Sequence, residues 1–287
     1  MVDQNIIELY DAYSHQEMTR RQFMDKLAHI AGGVAAAYAM LPILENNYAF
    51  AEKIPADDKR LNAEVITYPA KSGTIKGYEV MPAGAGKIPA VLVIHENKGL
   101  NPHIEDVARR LAVEGFLALA PDALTSKGGS PADPEVAAGM IKELDMNETV
   151  QNFVAAAAYL KTHPHSTGKV GVVGFCWGGA MANQMAVHST DIVATVPYYG
   201  KQPGSEDVGK IKAELLLHYA GLDERINAGI PDFTKALDAA GVVYTMYIYE
   251  GANHAFNNDT NAARYNKEAA DLAWKRTVEF LTAKLKE

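Results

Sequence analysis

Short apolar runs alternate with helical patterns from about residue 56 to the C-terminus, and this alternation most constrains the fold. The runs IPAVLVIHE (88–96), FLALAPD (116–122) and KVGVVGF (169–175) have the length and continuous apolar character of strands buried on both faces. Segments with helical periodicity lie between them. The pattern predicts an α/β fold with a mostly parallel central sheet and helices on both faces. Reactive side chains in such folds lie in loops at the carboxyl ends of the strands.

The N-terminal segment does not share this pattern. The stretch TRRQFMDK carries the pair Arg20-Arg21 and is followed by a weakly apolar stretch and by the small-residue site YAFA, which ends at Ala51. That order is typical of a twin-arginine export signal. The residues before the arginines, however, have the amphipathic pattern of a helix, which is long for a leader. Residues 1–55 are therefore either an N-terminal helical extension packed on a domain of residues 56–287, or a leader. The predicted location is cytoplasmic, or periplasmic if the signal functions.

Charge and composition exclude several classes of function. The net charge of −8 disfavours nucleic acid as a partner, because phosphate binding requires a basic surface. A single cysteine excludes an internal disulfide framework and a cysteine-based zinc site. The apolar N-terminal stretch is interrupted by His29, Gly32, Gly33 and Pro42, so it does not predict a membrane span. We expect no metal and no cofactor, and the oligomeric state, monomer or homodimer, stays open.

The single cysteine, Cys176, lies in the segment GFCWG at a predicted strand-to-helix junction. The pattern G-x-C-x-G is that of a nucleophile elbow with Cys in place of Ser. Glycines at 174 and 178 remove the Cβ atoms that would clash where strand and helix pass closely. A helix N-terminus beside the sulfur also favours the thiolate. A buried core cysteine is the alternative, since that is the usual fate of a free cysteine.

A nucleophile at this position requires an acid and then a histidine later in the chain, each after a strand. The run LLLHYAGLDERI places Asp223 in the loop after one strand, and YIYEGANHAF places His254 in the loop after the next. His254 would take the thiol proton, and Asp223 would orient the imidazole. His188 and His218 also follow the cysteine, but one lies toward the end of the helix after the elbow and the other inside an apolar strand.

An oxyanion hole needs two backbone N–H groups. One should come from Trp177, the residue after the nucleophile, and the other from the loop after the strand AVLVIH, at Asn97. Glu96 in the same loop either points into the site, where its carboxylate could accept the thiol proton, or is an ion-paired surface residue.

These residues resemble the dienelactone hydrolase family of the α/β-hydrolase superfamily. The resemblance is carried, in the family's order, by VIHENKGLN (93–101), APD (120–122), GKVGVVGFCWGG (168–179), HYAGLDERI (218–226) and GANHAF (251–256). It implies an α/β-hydrolase fold, a triad of Cys176, Asp223 and His254, and a part for Glu96 in activating the thiol. It also implies a cofactor-free hydrolase of a small-molecule ester or lactone that works through a thioester acyl-enzyme.

The chain departs from the family in its expected substrate contacts. Members that cleave dienelactone hold the substrate carboxylate with arginines, and one of these follows the catalytic histidine by four positions, where this chain has Asn258. No arginine occurs between Arg110 and Arg225. Without a guanidinium fork we expect a neutral or larger ester or lactone as substrate. Lys98, Lys142, Lys201 or Arg225 could supply a replacement charge, and Tyr199, Phe256 and Asn258 are the predicted substrate-binding residues.

Two other functions compete with hydrolysis. A non-catalytic α/β-hydrolase relative would serve as a binding protein, although such proteins usually lose a triad member and all three positions are filled here. A thiol redox sensor would use Cys176 as a peroxide target. The chain has no second cysteine to resolve a sulfenic acid.

Overall fold

A computed structural model describes residues 2–15, 17–48 and 52–286. Within these ranges, eight strands form one sheet in the order β1-β2-β4-β3-β5-β6-β7-β8. The strands are β1 (Leu61–Ala70), β2 (Gly73–Pro82), β3 (Ile88–Ile94), β4 (Leu117–Pro121), β5 (Ser166–Phe175), β6 (Ile192–Tyr198), β7 (Glu214–Ala220) and β8 (Tyr244–Tyr249). The helices are α1 (Gln4–Ser14), α2 (Arg20–Ala31), α3 (Val34–Leu44), α4 (Pro102–Val113), α5 (Pro134–Lys142), α6 (Met146–Thr162), α7 (Trp177–His188), α8 (Glu224–Asn227), α9 (Ile230–Ala240) and α10 (Lys267–Leu285).

The sheet is mostly parallel, as the sequence predicts. Strands β4, β3, β5, β6, β7 and β8 pair in parallel, whereas β1 and β2 form an antiparallel hairpin that joins the sheet through β4. Because these six strands run parallel, the carboxyl ends of β3 to β8 all lie at one edge of the sheet. The loops that hold the predicted reactive residues therefore lie together.

Helices cover both faces of the sheet because the central strands are apolar on both sides. In β3, Leu92 and Ile94 belong to the core under α6, α7 and α9, whereas Val91 and Val93 belong to the core under α4 and α10. Complete burial of these side chains explains the unbroken apolar run in the sequence.

The described residues of the N-terminal segment form three helices with a core of their own. Thr19 begins α2 with a capping box completed by Gln22, and Gly32, at φ +83°, ends it. The core of these helices is buried and consists of Ile6, Tyr10, Tyr13, Phe23, Leu27, Ala37, Leu41 and Leu44. The helical extension is thus present, while the predicted cleavage site at Ala51 lies outside the described residues.

The extension is anchored to the domain near the carboxyl edge of the sheet. Asn261 donates from Nδ2 to the carbonyl of Leu44 at 2.5 Å, and the N–H of Asn47 donates to the carbonyl of Thr260 at 2.7 Å. Within the described residues no single helix is long and apolar enough to cross a membrane, and α2 and α3 reach that length and hydropathy only as a pair bent by 109°.

Candidate active site

Cys176 lies at the sharp turn between β5 and α7, with its backbone at φ 55° and ψ −114°. Few residues other than glycine adopt this conformation, and it is maintained only where the surrounding structure enforces it. A Cβ on Gly174 would lie 2.0 Å from the carbonyl oxygen of Gly178, and one on Gly178 would lie 2.3 Å from that of Ile94. Because neither glycine has a Cβ, the start of α7 packs directly on the ends of β5 and β3.

Asp223 and His254 meet in the loops after β7 and β8. His254 Nδ1 lies 2.5 Å from Asp223 Oδ2, and Asp223 Oδ1 accepts from the N–H of Ile226 at 3.2 Å. Both side chains are almost fully buried, and His254 Nε2 has no hydrogen-bond partner in the described part of the chain. The Asp223 contact holds one ring nitrogen and leaves the other for the sulfur.

His15, at the end of α1, also contacts the sulfur. Its Nε2 lies 3.5 Å from Cys176 Sγ and 3.0 Å from Arg225 Nη2, and its Nδ1 donates to the carbonyl of Asp11 at 2.8 Å. Sequence reasoning missed this residue, because it sought a histidine after the cysteine and His15 precedes it by 161 positions. The amphipathic pattern of α1 was the available signal, and it indicated a packed helix without indicating on what.

The charges around the sulfur favour its ionised form. Burial raises the pKa of the Cys176 thiol, but His254 and His15 outweigh it and lower that pKa to about 6. Burial alone would lower the pKa of His254, whereas Cys176, Asp11 and Asp223 together raise it well above its ordinary value. The site therefore stabilises a thiolate beside an imidazolium.

The two contacts of His15 Nε2 require different protonation states. The guanidinium of Arg225 can only donate, so its contact requires an unprotonated Nε2. A thiolate at Cys176 requires a proton there: burial lowers the pKa of His15, while the thiolate and Asp11 raise it to about 9. Ionisation of the thiol therefore decides which of the two contacts His15 keeps.

Glu96 is buried and held from one side. Its Oε2 accepts from Asn258 Nδ2 at 2.7 Å, and its Oε1 has no partner among the described residues. Asn258 is itself fully buried and accepts from the N–H of Thr260 at 3.1 Å. Glu96 is thus not an ion-paired surface residue. Asn258, predicted to bind substrate, lies with its amide against the Glu96 carboxylate, and its contact with substrate stays a prediction.

The predicted oxyanion-hole residues lie on adjoining elements. Trp177 is the first residue of α7, where backbone N–H groups have no intrahelical acceptor. Asn97 lies in the loop after β3, and the end of β3 packs against the start of α7. The Asn97 side chain donates to the carbonyl of Ser14 at 2.7 Å. The assignment of the Trp177 and Asn97 backbone N–H groups to an oxyanion hole stays a prediction.

A cavity of about 370 Å³ opens beside Cys176, and we call it the Cys176 cavity. Apolar side chains form most of its wall, three cationic side chains belong to it, and no Asp or Glu lines it within the described chain. The lining residues are His15, Asn97, Ala138, Ile141, Lys142, Met146, Cys176, Trp177, Ala180, Met181, Tyr199, Lys201, Arg225, Ile226 and His254.

The structure places the other residues predicted to contact substrate at different depths from the cavity. Tyr199 lines the cavity, with its ring 4.9 Å from that of His254. Phe256 is fully buried behind it, with ring centroids 5.4 Å apart, and does not line the cavity. Lys98, one of the candidate charges, is buried against Tyr10 of the extension and lies away from the wall.

Comparison with known proteins agrees with this architecture. The family model of the dienelactone hydrolase family matches residues 75–285, which is most of the chain. The chain belongs to the dienelactone hydrolase family. With that family it belongs to the carboxylic ester hydrolases. A separate family model, described as YqhI-like, matches residues 2–33.

Individual relatives of the family cover the domain at moderate identity. A protein from Methylorubrum extorquens named "Putative carboxymethylenebutenolidase" is 32% identical over 242 residues, or 79% of this chain and 83% of that protein. The crystal structure of a "Putative Dienelactone Hydrolase" from Klebsiella pneumoniae superposes with a TM-score of 0.71 at 27% identity, over 77% of this chain and 98% of that one. A dienelactone hydrolase-like promiscuous phosphotriesterase from metagenomic libraries, 24% identical, shares the fold with a TM-score of 0.71 over 79% of this chain and 99% of that one.

The residues that surround the sulfur fall within two different family matches. The dienelactone hydrolase match contains Cys176, Asp223 and His254, whereas the YqhI-like match contains Asp11 and His15. The site as observed is therefore built from both parts of the chain.

The three side chains at the sulfur could also form a metal site. His15, Cys176 and His254 each offer one ligand atom, and these atoms lie within 4.8 Å of one another. Two nitrogens and one sulfur suit zinc. The guanidinium of Arg225 at 3.0 Å from His15 Nε2, however, already occupies one of these ligands and would repel a cation. The absence of a metal from the function stays a prediction.

Proposed function

We propose that this member of the dienelactone hydrolase family cleaves a carboxylic ester or lactone through Cys176 and a thioester acyl-enzyme. The observation that carries the proposal is the placement of Cys176 at φ 55°, beside a His254 imidazole whose Nδ1 lies 2.5 Å from Asp223. That arrangement presents the sulfur at the surface of the cavity and aims a proton carrier at it.

In this mechanism the Cys176 thiolate attacks the substrate carbonyl carbon, and the carbonyl oxygen becomes an oxyanion. The N–H groups of Asn97 and Trp177 would donate to that oxygen. The C–O bond to the leaving group then breaks, and the leaving oxygen takes the proton of His254 Nε2. A water molecule, deprotonated by the same nitrogen, attacks the thioester and releases the acid and the thiolate. Asp223 keeps the ring in the tautomer that serves both steps, and no cofactor is needed.

The Cys176 thiolate could form by two routes, through Glu96 or through the two histidines. The family resemblance implies that Glu96 deprotonates the thiol, and its unpartnered Oε1 is available for that. The imidazoles of His254 and His15 already stabilise the thiolate. If they suffice, Glu96→Gln, which can still accept from Asn258, lowers kcat/KM by less than about tenfold. A loss of about 10²-fold or more would assign the deprotonation to Glu96.

The wall of the Cys176 cavity points to an anionic group on the substrate. Lys142 and Lys201 line it, and no carboxylate among the described residues forms part of that wall. Arg225 also lines it and lies 3.8 Å from Asp11 on its other side. This differs from the neutral substrate that the missing arginine fork predicts, because the sequence does not show which lysines reach the site. We propose an ester or lactone of modest size that carries a carboxylate and an apolar body.

Intact mass after brief mixing with p-nitrophenyl esters and small lactones tests the acyl-enzyme. An adduct on Cys176 in the wild type, with adduct and turnover lost in Cys176→Ala, is the expected result. Turnover that survives in Cys176→Ala would exclude the mechanism. Rapid peroxide oxidation of Cys176 without any acyl adduct would favour the redox sensor.

The anion preference has its own test. Esters with a free carboxylate and their methyl-capped counterparts are compared in wild type, Lys142→Gln and Lys201→Gln. We expect the free acids to be preferred and the preference to fall in both variants. Lys87→Gln is the control, since Lys87 is exposed just before β3, at the opposite edge of the sheet. Equal rates for capped and uncapped esters in the wild type would contradict the assignment.

A further inference from the structure

The first helix of the N-terminal extension, α1, ends beside the proposed nucleophile. His15 Nε2 lies 3.5 Å from Cys176 Sγ, and the His15 ring meets that of His254 edge-on with centroids 4.8 Å apart. We propose that His15, oriented by Asp11, is a second histidine of the catalytic centre, so that the extension is a working part of the active site. The proposal rests on Cys176 being the nucleophile of the proposed function.

The sulfur lies between two histidine–aspartate pairs. On one side His254 is held by Asp223. On the other, His15 Nδ1 donates to the carbonyl of Asp11 at 2.8 Å and lies 3.4 Å from Asp11 Oδ2. A ring whose Nδ1 is held in this way turns Nε2 toward the thiol, which is the arrangement that orients a catalytic imidazole.

Asp11 is suited to this part because it is kept ionised. Arg264 Nη1 lies 3.1 Å from Asp11 Oδ1, and Arg225 Nη2 lies 3.8 Å from Oδ2. Burial would raise the pKa of Asp11, but His254, His15 and Arg264 lower it far below its usual range. This partly buried carboxylate beside His15 therefore favours the imidazolium that forms when the thiol ionises.

The position of α1 is set by contacts with the loops of the catalytic domain. Asn97 holds the carbonyl of Ser14, the residue before His15, at 2.7 Å. Gln4 donates to Asn253, the neighbour of His254, at 2.7 Å, and Tyr13 donates to Glu135 of α5 at 2.6 Å. These bonds place the end of the helix in the site and not merely over it.

The proton balance gives the two histidines different tasks. The proton that leaves Cys176 Sγ passes to His15 Nε2, and Arg225 withdraws from that nitrogen. His254 keeps its own Nε2 proton and delivers it to the leaving oxygen when the C–O bond breaks. After hydrolysis of the thioester, the thiolate and the His15 imidazolium are restored as a pair.

Several charged and titratable groups surround the sulfur and set its pKa together. They are Asp11 and His15 at α1, Glu96 after β3, Tyr199 after β6, Asp223 and Arg225 at α8, His254 after β8, and Arg264 before α10.

The test compares full-length wild type, His15→Gln, His15→Ala and the control His29→Gln. His29 is an exposed histidine of the same extension. The first readout is the rate of Cys176 alkylation by iodoacetamide against pH. A rise of the thiol pKa from about 6 by one to two units lowers the thiolate fraction at pH 6.5 by about three- to 25-fold. We expect this slowing in both His15 variants and not in His29→Gln.

The second readout is the burst of p-nitrophenol on acylation by p-nitrophenyl acetate. We expect the burst rate of the His15 variants to fall at least about tenfold, because one of two imidazoles at the sulfur is lost. Added imidazole should restore part of the burst in His15→Ala, which no merely structural role of the residue predicts. Thermal midpoints by circular dichroism identify any variant that fails to fold, and Asp11→Asn then replaces it with a smaller expected effect in the same direction.

The outcomes separate this proposal from the proposed function. An unchanged alkylation profile and burst rate in His15→Gln would overturn the role of His15 and leave the mechanism at Cys176 intact. Faster acylation in His15→Ala would overturn it too, by showing that the side chain obstructs the cavity. A wild type without any Cys176 adduct would refute the proposed function, and the alkylation profile would still decide whether His15 ionises the thiol.

Discussion

Adding one methyl group at Gly178 should disable the elbow. A Cβ at this position would lie 2.3 Å from the carbonyl oxygen of Ile94 and 2.4 Å from that of His95. Ordinary contact begins at 3.4 Å, so the start of α7 and the end of β3 must separate by about 1 Å to accommodate it. Both atoms belong to the backbone, so no side-chain rotation can relieve the clash.

That separation moves the groups that must act together. Cys176 and Trp177 are carried by the start of α7, whereas Asn97 is carried by the loop after β3. A displacement of about 1 Å between reacting groups costs about 10²-fold in rate. Overpacking of this kind also costs about 1–3 kcal/mol of folding free energy. We expect Gly178→Ala to lose at least about 10²-fold in kcat/KM while the protein remains folded at 25 °C.

Gly139→Ala is the matched control. Gly139 lies inside α5, and a Cβ there meets no described atom within 4 Å outside the backbone of its own helix. The substitution should leave kcat/KM unchanged and raise the free energy of unfolding by about 0.5–1 kcal/mol, because alanine loses less backbone entropy in a helix.

Two measurements on both variants test whether the close packing of α7 on β3 positions the active site. Steady-state hydrolysis of a p-nitrophenyl ester gives kcat/KM, and urea unfolding followed by circular dichroism gives the stability. If Gly178→Ala kept kcat/KM within about twofold of the wild type, close apposition of α7 and β3 would not be what positions the site, and the reasoning would be refuted.

Three further outcomes are expected. Asp223→Asn keeps the acceptor for the N–H of Ile226 but loses the charge that orients His254, so kcat should fall about 10³- to 10⁴-fold with little change in the urea midpoint. Alkylation of Cys176 in the wild type should be half-maximal near pH 6 and fall below it as the thiolate is protonated; a midpoint above pH 8 would contradict the stabilisation by imidazoles. Asn261→Ala removes the bond to the Leu44 carbonyl and should lower the free energy of unfolding by about 1–3 kcal/mol, seen as a lower urea midpoint.

Much of the fold can be predicted from the sequence because it depends on local patterns of residues. The apolar run at 88–94 predicts a strand buried on both faces, and Val91 and Leu92 pack on opposite helical layers. Asn101 and Pro102 predict the start of α4, where Asn101 accepts from the N–H groups of His103 and Ile104. Such signals need no knowledge of distant residues.

The sequence pattern does not predict which side chains lie behind the cavity wall. The sequence places Phe256 and Asn258 in the loop after His254, which predicts substrate contact for both. In the structure Phe256 packs behind Tyr199, and Asn258 is turned to Glu96. The direction of a loop side chain depends on the backbone conformation of the loop, including the positive φ at Ala255, and the sequence pattern does not encode it.

The sequence by itself determined the alternation of strands and helices, the elbow at Cys176, and the loops that carry Asp223 and His254, because each depends on spacing within one strand–loop–helix unit. Tertiary structure alone decided that the extension lies against the site and that His15 touches the sulfur. That contact joins positions 161 residues apart, and it exists because the apolar core of the extension and its bonds to Asn97, Asn253 and Asn261 fix the path of α1 across the carboxyl edge of the sheet. Local pattern predicts a helix, whereas the surface that the helix covers is decided by long-range packing.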